Sequence, residues 1–178
     1  MKLEGASGEI INSTDGMLNV HSVMHRNIAH SSEAGNAYMW SASVDVGGDE
    51  NVIWLRNDNS EHDLLIEWMS ISCSASAVVE IFVGSGTTPT PGTTVTGVNM
   101  NVGCGDVAEA TCYHTETSVD AGAGLTLLTS HQCGVTAKEK IDYDGALRLG
   151  YKKEVAVNVV TDIALTTVTI LGFFETDH

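Results

Sequence analysis

Residues 38–46 read YMWSASVDV, and this stretch indicates the fold class. Every second side chain is large or apolar, and those between are mostly small or polar. The large or apolar side chains are those of Tyr38, Trp40, Ala42, Val44 and Val46. A repeat of two residues is typical of a strand with one buried face. The Gly-Gly-Asp that follows at residues 47–49 predicts the end of that strand.

Strand patterns continue along the rest of the chain. Residues 52–55 are apolar on both faces, residues 63–73 (DLLIEWMSISC) predict a central strand, and residues 77–83 alternate again. Residues 84–97 (GSGTTPTPGTTVTG) hold both prolines and predict a loop. Further strands are predicted at 98–102, 107–114, 123–130, 145–151, 154–161 and 164–174.

The order of these elements predicts an all-β protein. About nine or ten short strands without helices between them exclude a parallel βαβ layout and leave a sandwich, a jelly roll or a barrel. The lengths favour an antiparallel, jelly-roll-like β-sandwich over residues 38–178, which form one domain. Residues 1–37 show no strict alternation, and only about 17–30 could form a helix. We expect an irregular N-terminal arm that packs on its own domain or on a neighbour.

Composition excludes several classes of partner. The 178 residues hold 8 basic and 23 acidic side chains, a net charge of −15, with no Lys or Arg between Arg56 and Lys138. Nucleic-acid binding needs clustered cations, which this chain lacks. The negative net charge also disfavours binding to anionic membranes. No apolar run approaches the roughly 18 residues of a membrane span, and no signal peptide is visible. We expect synthesis in a cytoplasm, with neither nucleic acid nor membrane as a partner.

The cysteines and histidines suggest no metal or catalytic centre. The four cysteines, 31, 8 and 21 residues apart, match no zinc or redox motif. Reduced structural thiols are expected, with a late disulfide outside the cell as the alternative. His21 and His25 would share a helix face, and His30 adds a third imidazole, but Ser22 stands where a zinc protease needs Glu. We interpret these histidines as polar surface or interface residues and leave their role open.

The remaining motifs are incomplete. Residues 57–63 (NDNSEHD) place oxygen ligands at alternate positions as in a calcium loop, but His62 occupies the position of the required Gly, which favours a polar turn. Cys104, between two glycines, has no helix behind it as a nucleophile elbow requires. His62, His114 and His131 are interpreted as isolated exposed histidines. We therefore predict no catalytic, cofactor-binding or metal-binding residues, and a protein that is not an enzyme.

The three tryptophans leave one alternative open. Trp40, Trp54 and Trp68 each fall in a strand-like run, which favours core packing, although an exposed tryptophan could stack on a sugar ring. A carbohydrate-binding β-sandwich would use Trp40 or Trp54 in that way. A glycan hydrolase would need two carboxylates facing each other in a cleft.

Several segments together resemble a family of virus proteins. They are Asn12–Gly16 (NSTDG), Gly35–Ser41 (GNAYMWS), residues 52–72 (VIWLRNDNSEHDLLIEWMSIS), residues 87–101 (TTPTPGTTVTGVNMN) and residues 107–111 (VAEAT). In these segments the chain resembles the small capsid decoration, or cement, proteins of tailed bacterial or archaeal viruses (bacteriophages among them), of the β-sandwich type. The similar segments span most of the chain and are structural, not catalytic.

The resemblance implies a virion structural protein. It implies a jelly-roll-like domain that forms a homotrimer on the outer capsid surface and stabilises the shell by binding the major capsid protein. The arm and one sheet edge would make the subunit and capsid contacts. A tail-fibre or head-fibre adhesin module is the alternative within the structural class.

Overall fold

The computed structural model describes residues 3–4, 10–11, 31–46, 50–85, 92–114, 124–135, 137–160 and 163–175. Their strands are β1 (Leu3–Glu4), β2 (Ile10–Ile11), β3 (Ala37–Val46), β4 (Glu50–Asn57), β5 (Leu64–Cys73), β6 (Ala77–Gly84), β7 (Thr93–Thr94), β8 (Val98–Asn99), β9 (Ala110–His114), β10 (Leu125–Cys133), β11 (Lys138–Leu149), β12 (Glu154–Val159) and β13 (Ile163–Phe174). Residues 31–33 form a short helical turn.

The long strands form two antiparallel sheets that pack against each other. One sheet has the order β10-β6-β12-β4-β9-β7 and the other the order β11-β5-β13-β3-β8, while β1 and β2 pair with each other and with no other described strand. The alternating apolar side chains of both sheets meet in one buried cluster, which includes Trp40, Ile53, Ile71 and Ile170. The protein is therefore a β-sandwich, as its sequence predicts.

The pairing follows the plan of a jelly roll. The eight long strands pair from the ends inward, β3 with β13, β4 with β12, β5 with β11 and β6 with β10. Strand β5 also pairs with β13, and β6 with β12, so that the four pairs join into two sheets. A long antiparallel ladder folded into two sheets in this way is the jelly-roll arrangement.

The segment between β6 and β10 completes one side of the sandwich. It contributes β9 beside β4 and β8 beside β3, so both sheets gain a strand on the same side. On the opposite side the sheets end in β10 and β11, whose outer edges pair with no other strand in the part of the chain that the structure describes. The two sides of the sandwich therefore differ: one side is extended by the short strands β8 and β9, and the other ends in the long strands β10 and β11.

Strand β11 differs most from the sequence prediction. A strand was expected at 145–151, but β11 covers Lys138–Leu149. Asp144 and Gly145 look like a turn in the sequence, and both have left-handed backbones with φ values of 50° and 72°. They lie within a bulge, where the register with β5 jumps between Asp142 and Leu147. The strand continues through the bulge, so the prediction missed its first half.

The other predicted strands agree better with the structure. Strand β10 extends to Cys133 instead of stopping at 130, and β8 covers only Val98–Asn99 of the predicted 98–102. The short β7 lies in the predicted loop. The possible helix at 17–30 lies outside the described residues.

Candidate functional site

Strand β8 and the loop that follows it carry a group of exposed apolar side chains. The exposed fractions are 64% for Val98, 40% for Met100, 95% for Val102 and 72% for Val107. We call these four residues the edge patch. Single exposed apolar residues are common, but groups of this kind on one surface mark interaction sites.

Hydrogen bonds from two asparagines hold the edge patch in place. The Asn99 amide donates to the carbonyl oxygen of Gly35 at 2.7 Å, and its oxygen accepts from the Asn101 N–H at 2.8 Å. The Asn101 amide in turn donates to the carbonyl oxygen of Glu33 at 3.1 Å. Because the loop is tied to the segment before β3, little conformational entropy would be lost when a partner binds.

The edge patch continues an apolar row across the outer face of the five-stranded sheet. In register, Val98 lies opposite Met39, Met39 opposite Leu171, and Leu171 opposite Trp68. Tyr38 and Trp40 point into the core, so Met39 between them points outward. Beside this row, Ala37, Leu65 and Phe173 form a second buried cluster, separate from the main core. A face turned away from the core thus has an apolar band.

A polar cavity of about 340 Å³ lies next to the edge patch. Its lining comes from the start of β3, the turn between β4 and β5, the segment before β9 and the end of β13. These residues are Asn36, Tyr38, Asn59, His62, Asp106, Val107, Glu109 and Phe174. Val107 belongs to both features, so the apolar surface borders the cavity directly.

The cavity has a negative environment. The pKa of Tyr38 is raised above its ordinary value first by burial and then by the charge of Asp106, with smaller contributions from Cys104 and Glu109. Neither Asp106 nor Glu109 takes part in the ion pairs found among the described residues. The Cys104 thiol donates to the Asp106 carboxylate at 2.8 Å. This end of the molecule therefore places two carboxylates, for which the described residues supply no ion-pair partner, beside apolar side chains.

The residues predicted as a polar turn do form one. The Asn57 amide donates to the carbonyl oxygens of His62 at 2.9 Å and Leu149 at 2.8 Å. The Asn59 side-chain oxygen accepts from the N–H groups of Glu61 and His62, both at 2.8 Å. The alternating side chains thus close the turn and place Asn59 and His62 at the cavity.

Asp58 joins this turn to two other segments. Its carboxylate accepts from Arg56 Nε at 2.9 Å, from Lys152 Nζ at 2.5 Å and from the Thr111 hydroxyl. Burial alone would raise the pKa of Asp58, but these hydrogen bonds and the charge of Arg56 bring it below its ordinary value. The carboxylate is therefore bound in its charged form, which stabilises the fold.

We expect Asp58→Asn to lower the free energy of unfolding by about 1–3 kcal/mol at pH 7, because the charged acceptor is lost. A lowered pKa in the folded state stabilises the fold above the unfolded value of about 4, and this contribution disappears as the pH falls through the folded value. The difference from wild type should therefore shrink below about pH 4. Urea unfolding across this pH range measures both effects.

Asp142→Asn is the matched control. Asp142 forms an ion pair with Lys140 in which both side chains are about half exposed, at 50% and 53%. Such pairs contribute only about 0–1 kcal/mol, so little change is expected. Equal losses in the two variants would contradict the role assigned to Asp58.

The structure places the tryptophans as mainly internal residues. Trp40 is fully buried and Trp54 is 1% exposed. The ring of Tyr113 stacks on Trp54 with centroids 5.8 Å apart, and the Arg56 guanidinium lies 5.3 Å from its centroid. Neither indole presents a face to a sugar ring. Trp68 is half-buried on the outer face, with Lys140 Nζ 5.6 Å from its centroid.

The cysteines are free thiols, and three of the four are buried. Cys73 and Cys133 lie side by side in the core, where burial and the neighbouring Cys73 raise the pKa of Cys133 to about 12. Burial also raises the pKa of Cys112. Cys104, half-buried, contacts Asp106 beside the cavity. Cys73 thus has the role of a small core residue that its strand pattern predicts.

The structure describes only some of the histidines that the sequence analysis considers. His21, His25 and His30 lie outside the described residues. The His62 side chain lines the cavity, and the His131 ring lies 3.3 Å from the Thr129 hydroxyl. Within the described ranges, no group of three or more His, Cys, Asp or Glu side chains could hold a metal ion. In the same ranges no helix has the length and apolar character of a membrane span.

Sequence reasoning missed the edge patch. Residues 98–102 were predicted as a strand, yet Asn99 and Asn101 turn the chain after two strand residues. Asparagines at alternate positions with Gly97 and Gly103 on either side are typical of turns, and this signal could have indicated an exposed loop.

Comparison of the chain with protein-family models, with curated proteins and with solved structures finds no match. The functional argument therefore depends on the surface of the sandwich itself.

Proposed function

We propose that this chain is a virion structural protein that decorates the outer capsid surface and stabilises the shell by binding the major capsid protein. It would be made in the host cytoplasm and act as a homotrimer. The observation that carries the proposal is the edge patch, an exposed apolar surface on a loop held by hydrogen bonds. A surface prepared in this way suits binding to other proteins.

The sandwich also suits a mechanical role. Strand β5 pairs on both sides and is largely buried, so it connects the β11 edge to the middle of its sheet. A protein that clamps capsid subunits needs a stiff sheet and large contacts, for which stable complexes bury about 2,000 Å² or more. The net charge of −15 would keep free copies soluble before they reach the shell.

The position and copy number in purified virus particles test the proposal. We expect many copies in a regular arrangement over the outer shell when particles are imaged by electron cryomicroscopy. A few copies confined to one vertex or to the tail would instead favour the fibre adhesin. A protein absent from the particles would overturn both functions.

The N-terminal segment provides a second test. Among the described strands, β1 and β2 pair only with each other, so deletion of residues 1–30 removes no described strand from the two sheets of the sandwich. We expect the shortened chain to unfold cooperatively but to lose its place on particles, because the arm would supply a capsid contact. Full occupancy of particles by the shortened chain would exclude that role.

A further inference from the structure

The cavity beside the edge patch presents groups that accept hydrogen bonds. Asp106 and Glu109 line it, and an ionised carboxylate only accepts. His62 lines the same cavity, and its Nδ1 atom is buried without a hydrogen-bond partner among the described residues. In the tautomer that carries the proton on Nε2, this nitrogen is a further acceptor. Buried polar atoms are costly when unpaired, so a ligand that donates hydrogen bonds suits this cavity.

The cations of the neighbouring segments already have carboxylate partners. In the described ranges these ion pairs are Arg56 with Asp58, Lys152 with Asp58, Arg148 with Asp63 and Arg148 with Glu175. They balance three positive charges against three negative ones. Asp106 and Glu109 therefore add two negative charges that these cations do not balance, and the described segment 92–114 contains no Lys or Arg.

The inner wall of the cavity is aromatic. The Tyr38 and Phe174 rings line it, both are buried, and they meet edge to face with centroids 5.9 Å apart. A guanidinium group stacks on aromatic rings, carries five N–H donors and no acceptor, and binds carboxylates through two parallel hydrogen bonds. A lysine ammonium is a compact point charge without a planar face. The chemistry of the cavity thus favours arginine.

The acceptors are held in place by the fold. Gly35 has a φ of 78°, and a Cβ there would lie 3.4 Å from Asp106 Oδ2, so this carboxylate packs against the turn before β3. The Asn99 amide donates to the carbonyl oxygen of Asp106 at 3.4 Å, and the Asp58 N–H donates to that of Glu109 at 3.0 Å. Because the site is largely formed in advance, little entropy is lost when a ligand enters.

We propose that the cavity receives an arginine side chain of a partner protein, and that apolar residues next to this arginine cover the edge patch. Val107 belongs to both surfaces, so one short segment of the partner reaches both. A free small cation would fill the cavity and leave the apolar side chains in water. The inference rests on the proposed function only for the identity of the partner, which would be the major capsid protein.

The first test uses the wild-type chain and the peptide acetyl-Gly-Val-Leu-Arg-Leu-Thr-Gly-amide. Its matched control has citrulline in place of arginine, a side chain of nearly the same shape without the charge. Charge-assisted hydrogen bonds are roughly twice as strong as neutral ones, so we expect the citrulline peptide to bind at least about tenfold more weakly. Titration of isotope-labelled protein followed by NMR measures both affinities, and shifts concentrated at Asn36, Asp106 and Glu109 place the peptide at the cavity.

Variants of the chain provide the second test. Asp106→Asn with Glu109→Gln should weaken binding of the arginine peptide at least about tenfold and change that of the citrulline peptide little. Asp45→Asn with Asp142→Asn is the matched control, because it changes the net charge equally at the far end of β3 and at the β11 edge. We expect it to bind within about twofold of wild type, since distant exposed charges are screened by salt.

Three results would overturn the inference. They are equal affinities for the two peptides, no binding of the arginine peptide at millimolar concentration, and shifts that lie away from the cavity. The peptide comparison needs no variant, so it decides the point even if a substituted chain fails to fold. Binding to virus particles is measured separately. A protein that covers particles but does not distinguish the peptides would keep the proposed function and lose this inference, and the opposite pair of results would do the reverse.

Discussion

Trp40→Ala should lower the free energy of unfolding by about 3–5 kcal/mol, the range for removal of a large aromatic side chain from a core. Trp40 is fully buried on the inner face of β3, and its ring centroid lies 6.0 Å from that of Tyr38. Because a domain is stabilised by only about 5–15 kcal/mol in total, this variant should be close to unfolding at 37 °C. Urea unfolding at fixed protein concentration gives the value.

Gly97 limits how neighbouring residues can fill the space that the Trp40 indole leaves when it is removed. A Cβ atom at Gly97 would lie 2.6 Å from Trp40 Nε1, so the absence of a side chain there makes room for the ring. The space left by Trp40→Ala is therefore bordered by a residue that has no side chain to move into it. Partial collapse is restricted, which places the expected cost in the upper part of the range.

Trp68→Ala is the matched control, since it removes the same side chain from the outer face of the same sheet. Trp68 is half-buried and has Lys140 beside its ring. We expect a loss of about 1–2 kcal/mol, because less apolar area leaves water on folding. Equal losses at the two positions would contradict the assignment of inner and outer faces.

The contrast between the two tryptophans shows what the sequence could predict. The alternation around Trp40 predicts its burial, because one register of a period-two strand puts every second side chain into the core. Trp68 lies in a run that is apolar on both faces, so alternation cannot assign it to a face. Its outward direction depends on the pairing of β5 with β13, where the register shifts.

The bulge in β11 shows a second limit. Asp144 and Gly145 are typical turn residues, so the local conformational preferences of the sequence predict that a strand ends there. In the structure, Gly145 packs over the outer face, where a Cβ would lie 3.6 Å from Leu65 and 3.8 Å from Phe173. That apolar pair comes from two other strands, and β11 pairs with β5 on both sides of the bulge, so neither feature is visible in the local sequence.

The candidate site was the least predictable part, for a related reason. The cavity combines residues from β3, from the turn after β4, from the segment before β9 and from the end of β13. Jelly-roll pairing brings these segments together only after the ladder has folded. The alternating pattern of the strands was enough to predict a sandwich. The position of Asp106 beside Tyr38 could be predicted only from the order of the strands in the sheets, which the sequence pattern does not give.

Gly172→Val should be strongly destabilising, with an expected loss of about 3 kcal/mol, at the upper end of what overpacking costs. Gly172 lies in β13, between β5 and β3 in the middle of its sheet. A Cβ atom there would lie 2.9 Å from the Leu65 carbonyl oxygen and 3.2 Å from Leu64 Cδ1. A backbone oxygen cannot move aside as a flexible side chain can, so the sheet itself would have to shift.

The close approach at Gly172 arises from the register shift between β13 and β5. The shift lies between Leu171 and Gly172, where β5 has the additional residue Glu67 and its backbone comes nearer to β13. Gly105→Ala is the matched control, because no atom of the described residues, apart from its chain neighbours, lies within 4 Å of the Cβ it would add, and we expect a change within about 0.5 kcal/mol. Thermal unfolding of both variants decides the point. If Gly172→Val is as stable as Gly105→Ala, the backbone of β5 does not approach β13 at this position, and the bulge at Glu67 is wrongly placed.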